Sequence, residues 1–347
     1  MKRAKYMNDQ IIIDKAKSFE TVDKRKLTFR FFKIKETGIF VAFILLFAAF
    51  SLASPHFLKV ENLLNVVRQI SLTGIMAVGM TLVIVSREID LSVGGIYGLC
   101  AVSAGLLMTN GVPVWAAIII ALIVGIFIGF LNGILVTYGR IPALIVTLGM
   151  LNVARGAYLL LSNGLPVYIS SKTVTDPNLD KFIYLGQGKI FGIIPMMMIF
   201  LVIVMISGYA LYGKSSYGFH IRAVGGNERA ARASGINVFR VKILAFTITG
   251  FLCAIAGLLN LSFLSSVQGI IGSGLELEVI AATILGGTSL AGGEGTIIGT
   301  LIGALIMGIL RNGLILIGVS PFWQTLTIGV IIIGAVAIDM WLKRKQV

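Results

Sequence analysis

The stretch VWAAIIIALIVGIFIGF, residues 114–130, decides the fold class. It carries no charge over its whole length. A bilayer core roughly 30 Å thick takes about 20 apolar residues as a helix. Hydrocarbon offers no partner for backbone N–H and C=O groups, so a span must satisfy them within itself. A membrane barrel would instead alternate apolar and polar residues over strands of about 10 residues, whereas this run is continuous. GIFVAFILLFAAFSLA, residues 38–53, has the same character. The whole chain agrees: 347 residues, 57% hydrophobic and 13% charged, with mean hydropathy +0.96. An ordinary soluble domain is about 25% charged and 45–50% apolar. The chain is expected to be an all-α integral membrane protein.

Working outward from 114–130, the apolar runs predict about ten spans. They lie near 38–54, 66–86, 91–109, 113–136, 141–162, 192–212, 241–264, 276–290, 296–317 and 322–342. The eighth is short and reads as a span, a half-helix or a re-entrant segment. Three regions follow: a basic tail at 1–36, a membrane domain at 37–342 with a charged loop at 213–241, and a short tail at 343–347. The tail does not read as a signal peptide, because the first long apolar run starts only at Gly38. The net charge of +14 fits the gathering of Lys and Arg in short cytoplasmic loops better than nucleic-acid binding. Both ends are basic, the second through Lys343, Arg344 and Lys345, so both are expected in the cytoplasm with an even number of spans. The link from Gly213 to Lys242 holds Lys214, Arg222, Arg229, Arg232, Arg240 and Lys242 against Glu228 alone, and is placed on the same side. The 163–189 segment mixes signs and is expected outside. Cys100 and Cys253 fall in apolar runs and suggest neither disulfide nor metal.

Small residues let membrane helices approach closely. Gly125, Gly129 and Gly133 share one helix face, as do Gly299 and Gly303. VIVSREIDLSVGGIYG (83–98) and TILGGTSLAGGEGTIIG (283–299) share a layout of span, polar break, glycine pair and span. Interrupted helices in repeats mark many transporter binding sites. The break residues are Asp90, Ser92, Gly94, Gly95, Gly292 and Gly293. Asp90 is expected to cap the helix that follows it, and a capped break would also serve as a pivot.

Enzyme chemistry is missing from the sequence. No stretch matches the phosphate loop G-x-x-x-x-G-K-[ST] or the G-x-S-x-G elbow. His56 and His220 stand alone, so no catalytic, cofactor or metal site is expected on this chain. Arg155 and Arg311 lie inside apolar runs and read as ties to neighbouring carbonyls or as substrate contacts. Glu88, Asp90, Glu276, Glu278 and Glu294 sit at expected span ends. A proton relay would need an acid in mid-span, and none is expected.

AVGGNERAARASGINV, residues 223–238, is the charged exception between apolar runs. Ala230, Ala231 and Ala233 favour a short helix. Gly225 and Gly226 permit a tight entry, Asn227 can cap it, and Gly235 suits a left-handed end. Glu228, Arg229, Arg232 and Ser234 complete it. It reads equally as a helix lying on headgroups or as a docking element whose arginines meet carboxylates of a partner.

MAVGMTLVIVSREIDLSVGG (76–95), AVGGNERAARASGINV and GLELEVIAATILGGTSLAGGEGTIIGTLIGALIMGIL (274–310) together resemble a known family. It is that of the permease subunits of bacterial sugar ATP-binding-cassette importers of the ribose, xylose and arabinose group. The resemblance covers roughly residues 40–340, in the family's order, and leaves out the long basic tail. It implies a permease in the inner membrane that binds no ATP. ATP and magnesium would sit on a separate cytoplasmic ATPase, commonly two modules in one chain, onto which residues 223–238 would dock. A periplasmic or extracellular sugar-binding protein and a second permease chain, identical or related, complete the assembly. The implied cargo is a monosaccharide, ribose first, with xylose, rhamnose or the furanose signal autoinducer-2 as alternatives. Candidates along the path are Asn132, Asn152, Asn260, Ser262, Ser265, Gln268 and Asn312. Each reads equally as an interhelical hydrogen bond worth about 1 kcal/mol. The competing class is an ATP-independent secondary transporter or channel, which would need a mid-span acid and no docking helix.

Overall fold

The computed structural model describes residues 34–344, so the two expected tails fall almost wholly outside it. Residues from Ile39 onward form one compact unit. The helices are α1 (Ile34–Ala53), α2 (Val60–Val85), α3 (Val93–Thr109), α4 (Val114–Thr137) and α5 (Ala143–Ser162). After strand β1 (Val167–Tyr168) come α6 (Leu179–Gln187), the hairpin β2 (Lys189–Ile190) with β3 (Ile194–Pro195), and α7 (Met196–Lys214). Then follow α8 (Ser216–Gly226), α9 (Glu228–Ala233), α10 (Val238–Leu264), β4 (Ser266–Val267), α11 (Leu275–Leu285), α12 (Ile297–Leu316) and α13 (Pro321–Arg344).

Among the described residues six helices are long and apolar enough to cross a membrane: α2, α4, α5, α7, α10 and α12. The expected spans at 38–54, 91–109 and 322–342 coincide with shorter apolar stretches. The eighth is the 11-residue α11. At 1.5 Å per residue α11 is about 16 Å long, roughly half of the hydrocarbon thickness.

The expected start of α2 is corrected from 66 to Val60. Its first two turns, with Glu61, Asn62, Asn65 and Arg68, look like a loop in sequence. Two of these polar side chains are held by the bundle: Asn62 exchanges hydrogen bonds with Asn312 (2.9 and 3.0 Å), and Arg68 lies over the Phe263 ring. The expected start at 192 moves to Met196, because the 188–195 stretch is taken up by the β2–β3 hairpin.

α2 is the central helix. Buried residues make up 78% of its apolar window, against 28% for α7, whose exposed faces are apolar. It packs against α7, α10, α11 and α12. Where α4 meets α10, glycines remove the side chains between the backbones. A Cβ on Gly129 would strike the Phe246 carbonyl, and one on Gly250 the Gly125 carbonyl. Gly299 and Gly303 bring α12 against the Gly286 and Ala282 carbonyls in the same way. β1 pairs antiparallel with β4, Val167 opposite Val267. α6 is tied to α10 through Ser262, whose Oγ accepts from Gly186 N (2.7 Å).

Gly129→Val should force the α4 and α10 backbones apart and cost about 1–3 kcal/mol. The expected result is a lower melting temperature of the detergent-purified chain, with Gly149→Val, where a Cβ would meet open space, left near wild type.

Candidate coupling corner

Residues 223–238 hold the last turn of α8 and all of α9, rather than one helix with a tight entry. Ser215 caps α8 by accepting from Gly218 N (3.2 Å). Asn227 ends α8 and caps α9, its Oδ1 accepting from Ala230 N (3.0 Å). α9 is amphipathic on a small scale, with Ala231 buried and Arg229, Ala230, Arg232 and Ala233 exposed. Ser234 ends it, and Gly235 turns left-handed at φ +81°. Asn237 then caps α10 through Arg240 N (3.0 Å). The Asn227 cap and the left-handed Gly235 follow the sequence expectation. Gly225 and Gly226 do not, since they are the last turn of α8 rather than a tight entry.

The reason Gly225 must lack a side chain lies elsewhere in the chain. A Cβ there would strike the Val85 carbonyl at the end of α2 and come within 2.5 Å of Gly293 N. Gly293 N donates to that same Val85 carbonyl at 2.9 Å. A Cβ on Gly292 (φ +81°) would lie 2.8 Å from the Gly225 carbonyl oxygen, and one on Gly293 (φ +78°) 2.9 Å from Gly226. The first break, the second break and the α8 end therefore meet backbone to backbone.

A charged knot stands beside this contact. Lys242, on the first turn of α10, donates to Glu88 Oε1 (2.7 Å) and to Glu228 Oε2 (2.9 Å). Glu228 also accepts from Arg232 at 2.9 Å, and Arg232 lies over the Phe239 ring. Burial alone would raise the Glu228 pKa, but Lys242 and Arg232 outweigh it and hold the carboxyl below its ordinary range.

The break residues divide into two groups. Gly292 and Gly293 belong to the corner. Gly94 and Gly95 do not: they let α3 approach the Gly272 carbonyl and the Leu151 carbonyl on α5. Asp90 is fully buried, and its role is corrected. Its Oδ1 accepts from Ser92 N (2.8 Å) and Ser92 Oγ (2.5 Å). It therefore closes the turn before α3 rather than capping the helix, and the N-cap Ser92 makes no side-chain cap. Ser92 Oγ also accepts from Asn132 (2.8 Å). Asp90 Oδ2 and Asn132 Oδ1 are buried without a hydrogen-bond partner.

The candidates for a path do not converge. Asn312 is spent on its tie to Asn62, and Asn132 donates to Ser92 while its Oδ1 has no partner. Ser262 and Ser265 hold α6 and the adjoining Gln187. Asn152 is exposed and bonds back to Leu148, Gln268 is exposed, and Asn260 is buried. Arg311 is tied to a carboxylate, not to carbonyls: its Nη1 donates to Glu278 Oε2 (3.0 Å). Glu278 is 6% exposed and also accepts from Thr73 (3.1 Å). Glu278 lies in the first turn of α11, in line with the sequence expectation, and meets Thr73 near the middle of α2. The ion pair is closed on the Glu278 side and open on the Arg311 side.

Sequence reasoning did not select Lys242, Glu88 or Val85. A lysine opening a long apolar run, with acids at both neighbouring breaks, was the available signal.

Comparison with known proteins sets this geometry in a family. Residues 62–336 match the model of the branched-chain amino acid transport system / permease component family. The chain belongs to this permease family. It is 41% identical over 94% of its length to the ribose import permease protein of Escherichia coli K12, covering 99% of that protein. It is 40% identical over 88% to the corresponding protein of Bacillus subtilis, covering 93% of it. The autoinducer 2 import system permease protein of Yersinia pestis is 34% identical over 88% of the chain, with 84% of that protein covered. No solved structure matches. Membership makes this permease a non-catalytic, multi-pass transport subunit of the inner membrane.

Burial raises the Asp90 pKa to about 6, against the hydrogen bonds from Ser92. A raised carboxyl pKa gives stability that is present at low pH and is lost as pH rises through about 6. Asp90→Asn keeps the Oδ1 acceptor without the buried charge. Its melting temperature should equal or exceed wild type near pH 7.5, and the wild type should regain ground near pH 5. A difference independent of pH would show that Asp90 does not titrate in this range.

Proposed function

We propose that this permease is the membrane subunit of an ATP-binding-cassette importer for a monosaccharide, ribose or a related pentose. The observation that carries the reading is the corner itself. The element at 223–238 is rigidly capped, presents Arg229 and Arg232 outward, and abuts both breaks through Gly225, Val85 and Gly293. A push on α9 is thereby delivered to the ends of α2 and α11. A helix meant to rest on headgroups would bury an apolar face in lipid, whereas the exposed face of α9 is alanine and arginine.

On this reading a cytoplasmic ATPase, commonly with two modules in one chain, binds α9 and supplies ATP and magnesium. A binding protein delivers the sugar from outside, and a second permease chain completes the path. The ten apolar segments form the membrane domain with both ends in the cytoplasm, which leaves α11 as a half-helix. The ribose assignment rests on two of the relatives named above, the ribose import permease proteins of Escherichia coli K12 and Bacillus subtilis. The rival class, a secondary transporter, finds little support in Glu278. A proton-carrying acid should be free to change charge, but Arg311 neutralises this one at 3.0 Å.

Purification of the tagged chain in mild detergent from its native cells should bring down a tandem ATPase, and scrambling 223–238 should lose it. Gly235→Trp, which forces a side chain into a left-handed backbone, should leave the chain in the membrane but abolish sugar uptake. A chain that comes out alone and moves sugar into vesicles without ATP overturns the importer assignment.

A further inference from the structure

We propose that Lys242 is a positioning residue that transmits movement of α9 to the end of α2, by holding Glu228 and Glu88 at once. The inference rests on the docking role of 223–238 argued above, and adds the residue through which docking acts.

The geometry carries it. Lys242 joins three parts of the chain: α9 through Glu228, the first break through Glu88, and the base of α10 on which it stands. Its side chain is 11% exposed and that of Glu88 17%, while Glu228 is 40% exposed and faces the docking side. One end of the knot is therefore open to a partner and the other is closed in.

The closed end is bolted to α2. Glu88 N donates to the Val83 carbonyl (3.1 Å) and Arg87 N to the Ile84 carbonyl (2.9 Å). Arg87 sits at φ +70°, a left-handed conformation that residues with a side chain rarely adopt. Two residues later Asp90, with Ser92 and Asn132, joins this break to α4. A change in the pull on Glu88 thus reaches the α2 end, the α3 start and α4.

The open end can compete. Glu228 shares its two oxygens between Lys242 and Arg232. Arg232 is 57% exposed and lines a groove of about 410 Å³ with Arg140, Phe239, Lys242, Glu228 and Glu88. A partner carboxylate that takes Arg232 leaves Glu228 to Lys242 alone. One that draws α9 away leaves Lys242 to Glu88 alone. The knot has discrete arrangements, which is what coupling through a packed network requires.

The test uses the reconstituted complex of permease and ATPase in sealed vesicles, reading sugar moved per ATP hydrolysed. Lys242→Met should keep the ATPase bound and hydrolysing while transport per ATP falls at least about fivefold, the lower end of typical coupling. Lys242→Arg should recover most of it. Glu88→Gln should lower the ratio as well, and the two losses should not add in the double variant, because they break one contact. If Lys242→Met fails to accumulate, the near-isosteric Glu88→Gln carries the same readout. Wild-type transport per ATP in either variant, or strictly additive losses, overturns the relay while leaving the docking role intact. A wild-type chain that binds no ATPase overturns the docking role and the relay together.

Discussion

The hydrogen bond from Gly293 N–H to the Val85 carbonyl, 2.9 Å long, is the contact on which the rest of the corner depends. The last carbonyls of any helix have no partner within the helix. At the end of a buried span, such a group left unpaired costs several kcal/mol. α2 answers part of this locally, with Arg87 and Glu88 returning their N–H groups to Ile84 and Val83. Val85 cannot be reached that way and is served by a backbone amide more than two hundred positions further on. That amide approaches only because Gly292 and Gly293 are left-handed, and α8 seats against the joint only because Gly225 has no Cβ.

The same rule of internal satisfaction organises the interior around α2. Thr81 meets Thr300 (2.6 Å), Asn62 meets Asn312, and Thr73 meets Glu278. Each tie joins the central helix to α11 or α12. Hydrophobic attraction does little to distinguish one helix from another inside lipid, where tails are as apolar as leucine. Specific neighbours are chosen by glycine surfaces that let backbones touch and by polar atoms with few permitted partners. The glycine surfaces of α4 and α12 and the threonine and asparagine pairs of α2 supply both.

How much of this could be read in advance follows from the same physics. The apolar runs were legible because hydrocarbon imposes one rule along the chain, and the glycine faces of α4 and α12 were legible because their spacing is local. The caps at Asn227 and the left-handed Gly235 were legible for the same reason. Partners were not. Lys242 reads as one more basic residue of the cytoplasmic link, and its acceptor Glu88 lies 154 residues away. Asn312 resembles a path residue until Asn62, 250 residues distant, is found against it. Asp90 was placed on the right break with the wrong bonds, because a carboxylate two residues ahead of a serine can close a turn as readily as cap a helix.

The half-length of α11 has a consequence for charge. A helix that begins within the depth of the bundle brings its N-terminal dipole inside as well, and that end favours acidic side chains. Glu276 and Glu278 both lie in its first turn. Glu278 is paired by Arg311 from α12 and by Thr73 from α2, so the charge that the helix end favours is also cancelled by a neighbour. An acid in mid-membrane normally signals a proton path. Here Arg311 and Thr73 occupy the two carboxylate oxygens. The interior is thereby left with a structural ion pair, and Glu228 at the corner is the more exposed carboxylate of the knot.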